Sequence, residues 1–583
     1  MTRGTGLAAA AACAAVLLTA CAPSVPDDGP VGVSEVQPEE EYTYVANPDP
    51  PQPGAEPEEI IQGFLAAGVG VQDDYAVARE YLTDEASQAW VPEQTTWIHT
   101  QEPEITARGE DAFDMSVVVD SRVDESGTMT RPEAVESFVF ELEQQDGQWR
   151  IATPPEGTVL SEDAFNNAYQ DLTLYFFDPE LRYAVPDARW FVNQPGLPAE
   201  IVNELVAGPA QWLSEAVVSA FPEDPELTVS TDVDTETQTA QVDLDPVMAS
   251  GLDDAELLLI EEQLTLVLTQ LQGVTSVEIT AGSVELDIPD EDEVPTEDRP
   301  DIEVNPVTSD TQVGILEGEL ARQQGTTTFA AEGVPELNEY NPRLPATPAA
   351  AEGEVFAFVG DNEDGEEALF HVRPEDEAPD EVVEAPGMTR PSMDNFGWTW
   401  VAADNGDDQV IHAVPYDDSA GSATQVSAEW LEGRTVTSMR IAQDGTRAAL
   451  VVDDAGERMV VIAPVIRNSE GVPRLLGPPL LLEDSGSMDE VRWSENDAVI
   501  TWQRQDPDEP VEVMSIREIQ LSGEIEEYTS VAGLLNVSAG EGQDAIYAEN
   551  PDSAYYQLIG DSWQPNANVD DHQIEIRDYA YPG

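Results

Sequence analysis

The hydrophobic pattern of this chain changes character several times. From Leu7 to Leu18 it is an unbroken apolar run, preceded by Arg3 and closed by Leu18-Thr19-Ala20-Cys21. Spanning a bilayer takes about 20 apolar residues, so this shorter run reads as the core of a signal peptide over residues 1–20. The small residues before Cys21 match a lipobox, which makes Cys21 the expected lipidation site and the first residue of the mature chain. The other cysteine, Cys13, lies in the segment to be removed, so the mature chain forms no internal disulfide and must be held by packing. Acyl chains anchor such a protein at roughly 0.8 kcal/mol per buried CH₂.

Residues 21–56 lose all periodicity. Ala22 to Ala55 holds eight prolines, seven acidic residues and no basic one, the composition of an extended tether. Helical spacing begins at Pro57, where Ile60, Ile61, Phe64 and Leu65 share a face. A second helix is predicted over Asp73 to Leu82 and a third, short one from Thr83 to Trp90. Strand-like segments follow at Trp97–His99, Met115–Val119, Ser137–Leu142 and Trp149–Ile151, with Asp146-Gly147 as a hairpin turn. Residues 57–160 thus read as an α+β domain.

A second α+β domain is predicted over 168–288. Its strands are Leu174–Phe177, Tyr183–Pro186, Ala240–Leu244 and Val277–Thr280. Its helices are Glu200–Ala207, stopped by Gly208-Pro209, and Glu256–Leu271. Residues 289–310, with four prolines and nine acids against one Arg, form a linker. Beyond them short strands alternate with turns. Markers at Gly353, Asp394, Asp444, Asn496 and Gly542 recur at blade-like intervals, and Glu366–Pro374 aligns with Asp407–Pro415. Residues 311–583 are therefore read as an all-β propeller of five or six blades, with Gly445 at positive φ in its turn.

Composition narrows the chemistry. The chain has 118 acidic residues against 23 basic ones, a formal charge of −95. Every basic residue is Arg, which removes Schiff-base lysines and the P-loop lysine. So acidic a surface repels phosphate backbones, and nucleic acid is not an expected partner. His371 and His412 occupy equivalent positions in the aligned segments, where a shared metal site is conceivable and packing is the simpler role. His99 and His572 have no spaced partner. Asp232-x-Asp234-x-Glu236 alternates like a calcium loop but has Thr237 where the loop needs Gly, so a solvated hairpin is expected, as at Asp361–Gly365. No nucleophile elbow, zinc motif or dinucleotide fingerprint is present. No catalytic, metal or cofactor residue is assigned, and the chain is not read as an enzyme.

The lipobox, the opening Glu58–Leu65 and Leu205-Val206-Ala207-Gly208-Pro209 resemble the actinobacterial lipoprotein family LpqB. Tyr175-Phe176-Phe177, the Ala-Gly-Pro stop and Gln263–Ile279 are similar to a GerMN domain. Arg390–Asp394, Ile441–Arg447, Val491–Ser494, Trp563 and Tyr581-Pro582-Gly583 resemble the blade signatures of the family's propeller, with Met393 where the pattern has Trp. The resemblance implies a membrane-anchored protein on the extracytoplasmic face, an accessory of the MtrA–MtrB two-component system. Such a protein would bind the extracellular domain of the MtrB sensor histidine kinase and modulate signalling for envelope homeostasis and division. Two other readings stay open. One is an envelope carbohydrate- or peptide-binding lipoprotein using exposed aromatics such as Trp398, Trp400 or Trp502, although strand alternation places these mostly in the core. The other is a propeller hydrolase with an acid–base set near His371 and His412.

Overall fold

The computed structural model describes residues 48–583 apart from 133, 223–228, 287, 289–300, 307–308, 326, 352, 407, 417–422, 484–485, 506–509, 541, 543–544, 551–554, 561 and 566–575. The signal peptide, Cys21, most of the tether, much of the linker and His572 lie outside the described residues.

Helix Pro57–Ala67 starts at its proline and is closed by a capping box, in which the Glu56 amide donates to Glu59 Oε2 at 2.9 Å. Its apolar face buries Ile60, Ile61 and Phe64, with Phe64 tilted on Trp90 at 5.1 Å. The expected second helix departs from regularity. It spans Gln72–Arg79, and Asp73, Asp74 and Tyr75 take φ of 51°, 58° and 55°. Asp tolerates this left-handed backbone, and the turn carries the Tyr75 ring into the core, edge-on to Trp90 at 5.8 Å. Thr83 caps the third helix, Asp84–Ala89, by accepting from the Ala86 amide. Two four-stranded sheets complete this region. In one, Thr95–His99 lies between antiparallel Ser121–Asp124 and parallel Thr158–Ser161. The other is a meander whose last hairpin turns on Asp146 and Gly147, both at positive φ (51° and 76°), with Gln145 opposite Gln148.

Tyr169–Phe177 and Ala184–Val192 form a two-stranded antiparallel ribbon, and every residue of the second strand is buried. That burial has a structural cause, because the ribbon touches three cores. Leu174, Phe176 and Val185 pack with helices Leu197–Ala207 and Asp254–Leu268. Tyr169, Trp190 and Val192 pack with Ile98, Val123 and Met129 of the first region. Ala188 joins Ala449, Val451 and Leu521 of the propeller. Polar bonds reinforce these junctions. Trp190 Nε1 donates to the Ser522 carbonyl at 2.7 Å, and Arg131 Nε to that of Gly523 at 2.7 Å. Within the ribbon Arg189 and Asp187, 1% and 0% exposed, pair at 2.7 Å. Arg189 Nη2 also donates to the Gly208 carbonyl at 2.8 Å, which ties the Ala-Gly-Pro helix stop to the ribbon.

Among the described residues from Thr311 to Ala580 six sheets follow one another, a propeller of six blades. Its closure uses both ends of the segment, because Ile576–Ala580 pairs with Thr311–Leu316 as the innermost strand of the first blade. The five sequence markers all fall in loops joining the first and second strands of blades two to six. The first blade has no such loop, its two inner strands coming from opposite ends of the segment; five markers therefore describe six blades. The fourth blade carries a fifth strand, Leu480–Glu483, which pairs with one half of Glu457–Arg467 while Pro473–Leu476 pairs with the other.

Candidate functional site

Hydrogen bonds link the loops of three turn markers, Asp394, Asp444 and Asn496, from blade to blade; Arg467 Nη2 donates to Asp394 Oδ2 at 2.6 Å and to the Gly445 carbonyl at 3.2 Å. Asp444 Oδ1 accepts from the Thr446 amide and hydroxyl, and its Oδ2 from Arg447 Nε at 2.9 Å. Arg447 reaches on to Asn496 Oδ1 at 2.8 Å. Asp394 likewise accepts from the Phe396 and Trp398 amides and from Trp400 Nε1. Gly445 has φ of 67° as expected, but its loop is longer than a two-residue hairpin, since the Ala442 amide bonds the Arg447 carbonyl. Beside it Phe396 meets the second domain, with the Arg182 guanidinium 3.8 Å from its ring centroid and the Tyr183 ring at 6.0 Å.

Four residues ahead of the markers Asp394, Asp444 and Asn496 stand Arg390, Arg440 and Arg492, on or next to the inner strands of three consecutive blades. All three are buried. Arg390 Nη1 donates to the Asp578 carbonyl at 2.8 Å, and its Nη2 lies 3.9 Å from the Asp578 carboxylate. Arg492 pairs with Glu490 at 3.3 Å and donates to the Val491 carbonyl at 2.6 Å, and Arg504 reaches the other Glu490 oxygen at 3.5 Å. Arg440 donates to the Pro391 carbonyl and has no ion pair among the described residues. Burial, with Arg492 and Arg390 alongside, pushes the Arg440 pKa well below its ordinary value, and burial brings Arg492 down to about 10. Burial opposes ionisation of Glu490, yet Arg492, Arg390 and Arg504 hold its carboxyl below the usual range.

Arg440 and Arg492 line a cavity of about 310 Å³ with Ser494, Ser538 and Tyr581 of the propeller and Tyr175 of the ribbon. Ser494 Oγ and Arg492 Nε are buried and have no hydrogen-bond partner among the described residues. Two side-chain carboxylates also line it, the exposed Glu495 and the half-buried Asp497, together with the half-buried Gly583, so the buried end is cationic and the open end acidic. The blade signatures contained this set without revealing it; the recurrence of Arg four residues before the turn marker was the available signal.

The residues singled out in the sequence are dispersed. His371 Nε2 bonds Thr399 Oγ1 at 2.9 Å between neighbouring blades, and burial next to Arg373 lowers its pKa to about 4. His412 is half-buried on the equivalent third strand. Neither bonds a carboxylate among the described residues, so the two do not assemble the acid–base set a hydrolase needs, and no group suited to a metal occurs among the described residues. His99 is buried in its strand, which lowers its pKa. Trp398, Trp400 and Trp502 offer no binding face: they lie on second strands of their blades and are fully buried between sheets. Asp234 spends Oδ1 on the amides of Glu236 and Thr237, and Asn362 closes its turn on those of Asp364 and Glu366, so both acidic loops are hairpin turns.

Among the described residues no helix is long and apolar enough to cross a membrane. Residues 50–166 match the lipoprotein LpqB N-terminal domain, 173–287 the sporulation and spore germination domain, and 318–574 the lipoprotein LpqB beta-propeller domain. The chain is 28% identical over 517 residues to lipoprotein LpqB of Streptomyces avermitilis, covering 81% of each chain. It is 25% identical over 587 residues to that of Mycolicibacterium smegmatis, covering 91% of each. Among solved structures, the first GerMN domain of GerM from Bacillus subtilis is similar over 21% of this chain and 89% of its own, at 20% identity and a TM-score of 0.18. With its three domains matched in order and relatives that align over most of its length, the chain belongs to the LpqB lipoprotein family.

Proposed function

We propose that the chain is a non-catalytic accessory lipoprotein, held on the extracytoplasmic face of the cell membrane by acyl chains on Cys21. In this reading it binds the extracellular domain of the MtrB sensor histidine kinase and modulates two-component signalling for envelope homeostasis and cell division. The observation that carries it is the ribbon Tyr169–Val192, whose side chains pack into all three domains and join them into one body. Three modules fastened in this way suit presentation of a surface to a partner better than closure around a substrate. Family membership supports the kinase as that partner.

The charge of −95 supplies the mode of encounter. Carboxylates steering the chain onto basic residues of the kinase domain accelerate association at low salt, because the Debye length falls from about 10 Å at 0.1 M to about 3 Å at 1 M. Exposed ion pairs add little affinity individually, so dissociation changes less. The test is surface-plasmon binding of the purified full chain to the MtrB extracellular domain at two salt concentrations. Absence of binding at both rejects the partner, whereas binding with an unchanged association rate rejects the steering.

A further inference from the structure

The cavity between the propeller axis and the ribbon contains donors that the protein itself leaves unused. Two of them are on one blade, Arg492 Nε and Ser494 Oγ; on the adjacent blade the Arg440 guanidinium bonds one carbonyl and, among the described residues, no carboxylate. Buried polar groups are nearly always satisfied, and an Arg fork is shaped to meet two oxygens of one planar or tetrahedral anion. Glu490 is the only carboxylate in direct contact with Arg492 among the described residues, and it is shared with Arg504. Arg390 adds a third cation close enough to lower the pKa of Arg440. One negative charge in the cavity would therefore satisfy the unused donors and relieve the repulsion between neighbouring guanidinium groups. The remaining lining has both characters a small organic anion needs: Tyr175 and Tyr581 are aromatic, and Ser538 carries a hydroxyl.

We infer that this cavity is a binding site for a small oxyanion, a carboxylate or phosphoryl group, held by Arg440 and Arg492 with a hydrogen bond from Ser494. The site lies against Tyr175 and Pro186 of the ribbon, so an occupant touches two domains at once. The inference stands independently of the kinase partner.

Isothermal titration of the purified full chain with methyl phosphate, and separately with succinate, at constant ionic strength tests it. Saturable binding of either probe with one site per chain is expected, and the better probe assigns the group as phosphoryl or carboxylate. Arg440→Gln should weaken that binding at least tenfold, while Arg108→Gln, an exposed residue paired with Asp114 in the first domain, should leave it unchanged. Ser494→Ala removes a hydroxyl that has no hydrogen-bond partner among the described residues, so it tests the site even if Arg440→Gln fails to fold; it should weaken binding severalfold. No saturable binding of either probe, or binding unaltered within twofold in Ser494→Ala, overturns the site and leaves the cavity to water.

Discussion

Gly445→Ala isolates one joint between the second domain and the propeller. Gly445 has φ of 67°, a backbone that costs an L-residue about 1–2 kcal/mol. A Cβ at this position would also overlap the edge of the Phe396 ring. Phe396 cannot yield freely, because Arg182 stacks at 3.8 Å from its centroid and Arg467 at 4.8 Å. Turning the ring off its rotamer adds about 0.5–1.5 kcal/mol, giving a total of about 1.5–3.5 kcal/mol. Native-state hydrogen exchange on the amides of Thr435–Ile441 and Arg447–Asp454 reads this as a loss of local opening free energy, without requiring the whole chain to unfold in two states. The steric share should vanish in a Phe396→Ala background and leave the backbone share of about 1–2 kcal/mol. Equal costs in both backgrounds would refute the role of Phe396, and no cost in either would refute the turn.

Three further outcomes follow from buried and covalent chemistry. Asp187→Asn leaves Arg189 with one ionised partner among the described residues, Glu204 at 3.2 Å, besides the Gly208 carbonyl; it should cost about 3–5 kcal/mol in opening of the ribbon by hydrogen exchange, and a loss under 1 kcal/mol would show the pair to be dispensable. His371, with its folded pKa lowered to about 4 from 6.5, is buried neutral, so the unfolded chain binds the extra proton first. Stability from this group is present above the unfolded value and falls away as pH drops from 6.5 towards 4, by about 3 kcal/mol at most; His371→Gln should remove that part of the acid sensitivity in paired denaturation series. Mass spectrometry of the N-terminal peptide should find acyl chains on Cys21, and Cys21→Ser should release the protein from membranes; retention of the variant would show another anchor.

Local rules carried the sequence reading a long way. Asp146-Gly147 and the Thr83 cap act through bonds to residues a few positions away, so their meaning is local and legible. The turn markers are legible for the same reason, since Asp444 binds Thr446 and Arg447. Their number undercounts the blades by one only because the closing blade borrows a strand from Ile576–Ala580. The left-handed turn at Asp73–Tyr75 was not legible, because the contact it accompanies, Tyr75 against Trp90, joins residues far apart in the sequence. Trp398 and Trp400 are core residues, as strand alternation indicates, because both faces of their blade are covered by its neighbours. The arginine cluster was hidden by separation: its members stand about one blade repeat apart in the chain, and each alone reads as a solvated charge.

The distribution of cations carries a last consequence. With 23 Arg against 118 acids, the chain places several of its scarce cations inside: Arg189, Arg390, Arg440, Arg447 and Arg492 are all buried. Each buried Arg neutralises a carboxylate or lines the cavity, and each leaves the exterior more uniformly negative. The two proposed ligands must therefore respond to salt with opposite signs. A basic protein surface is drawn in through the exterior field, so screening slows its association. A small anion bound for Arg440 and Arg492 must first cross that same field, so screening speeds its entry. Stopped-flow association of the better of the two anion probes, with ionic strength raised by a salt whose anion is too bulky for a cavity of about 310 Å³, should accelerate over the range in which kinase-domain association slows. Parallel slowing of both would mean that the local attraction of the arginines outweighs the repulsion of the exterior along the path of entry, and the argument from opposite signs would fall.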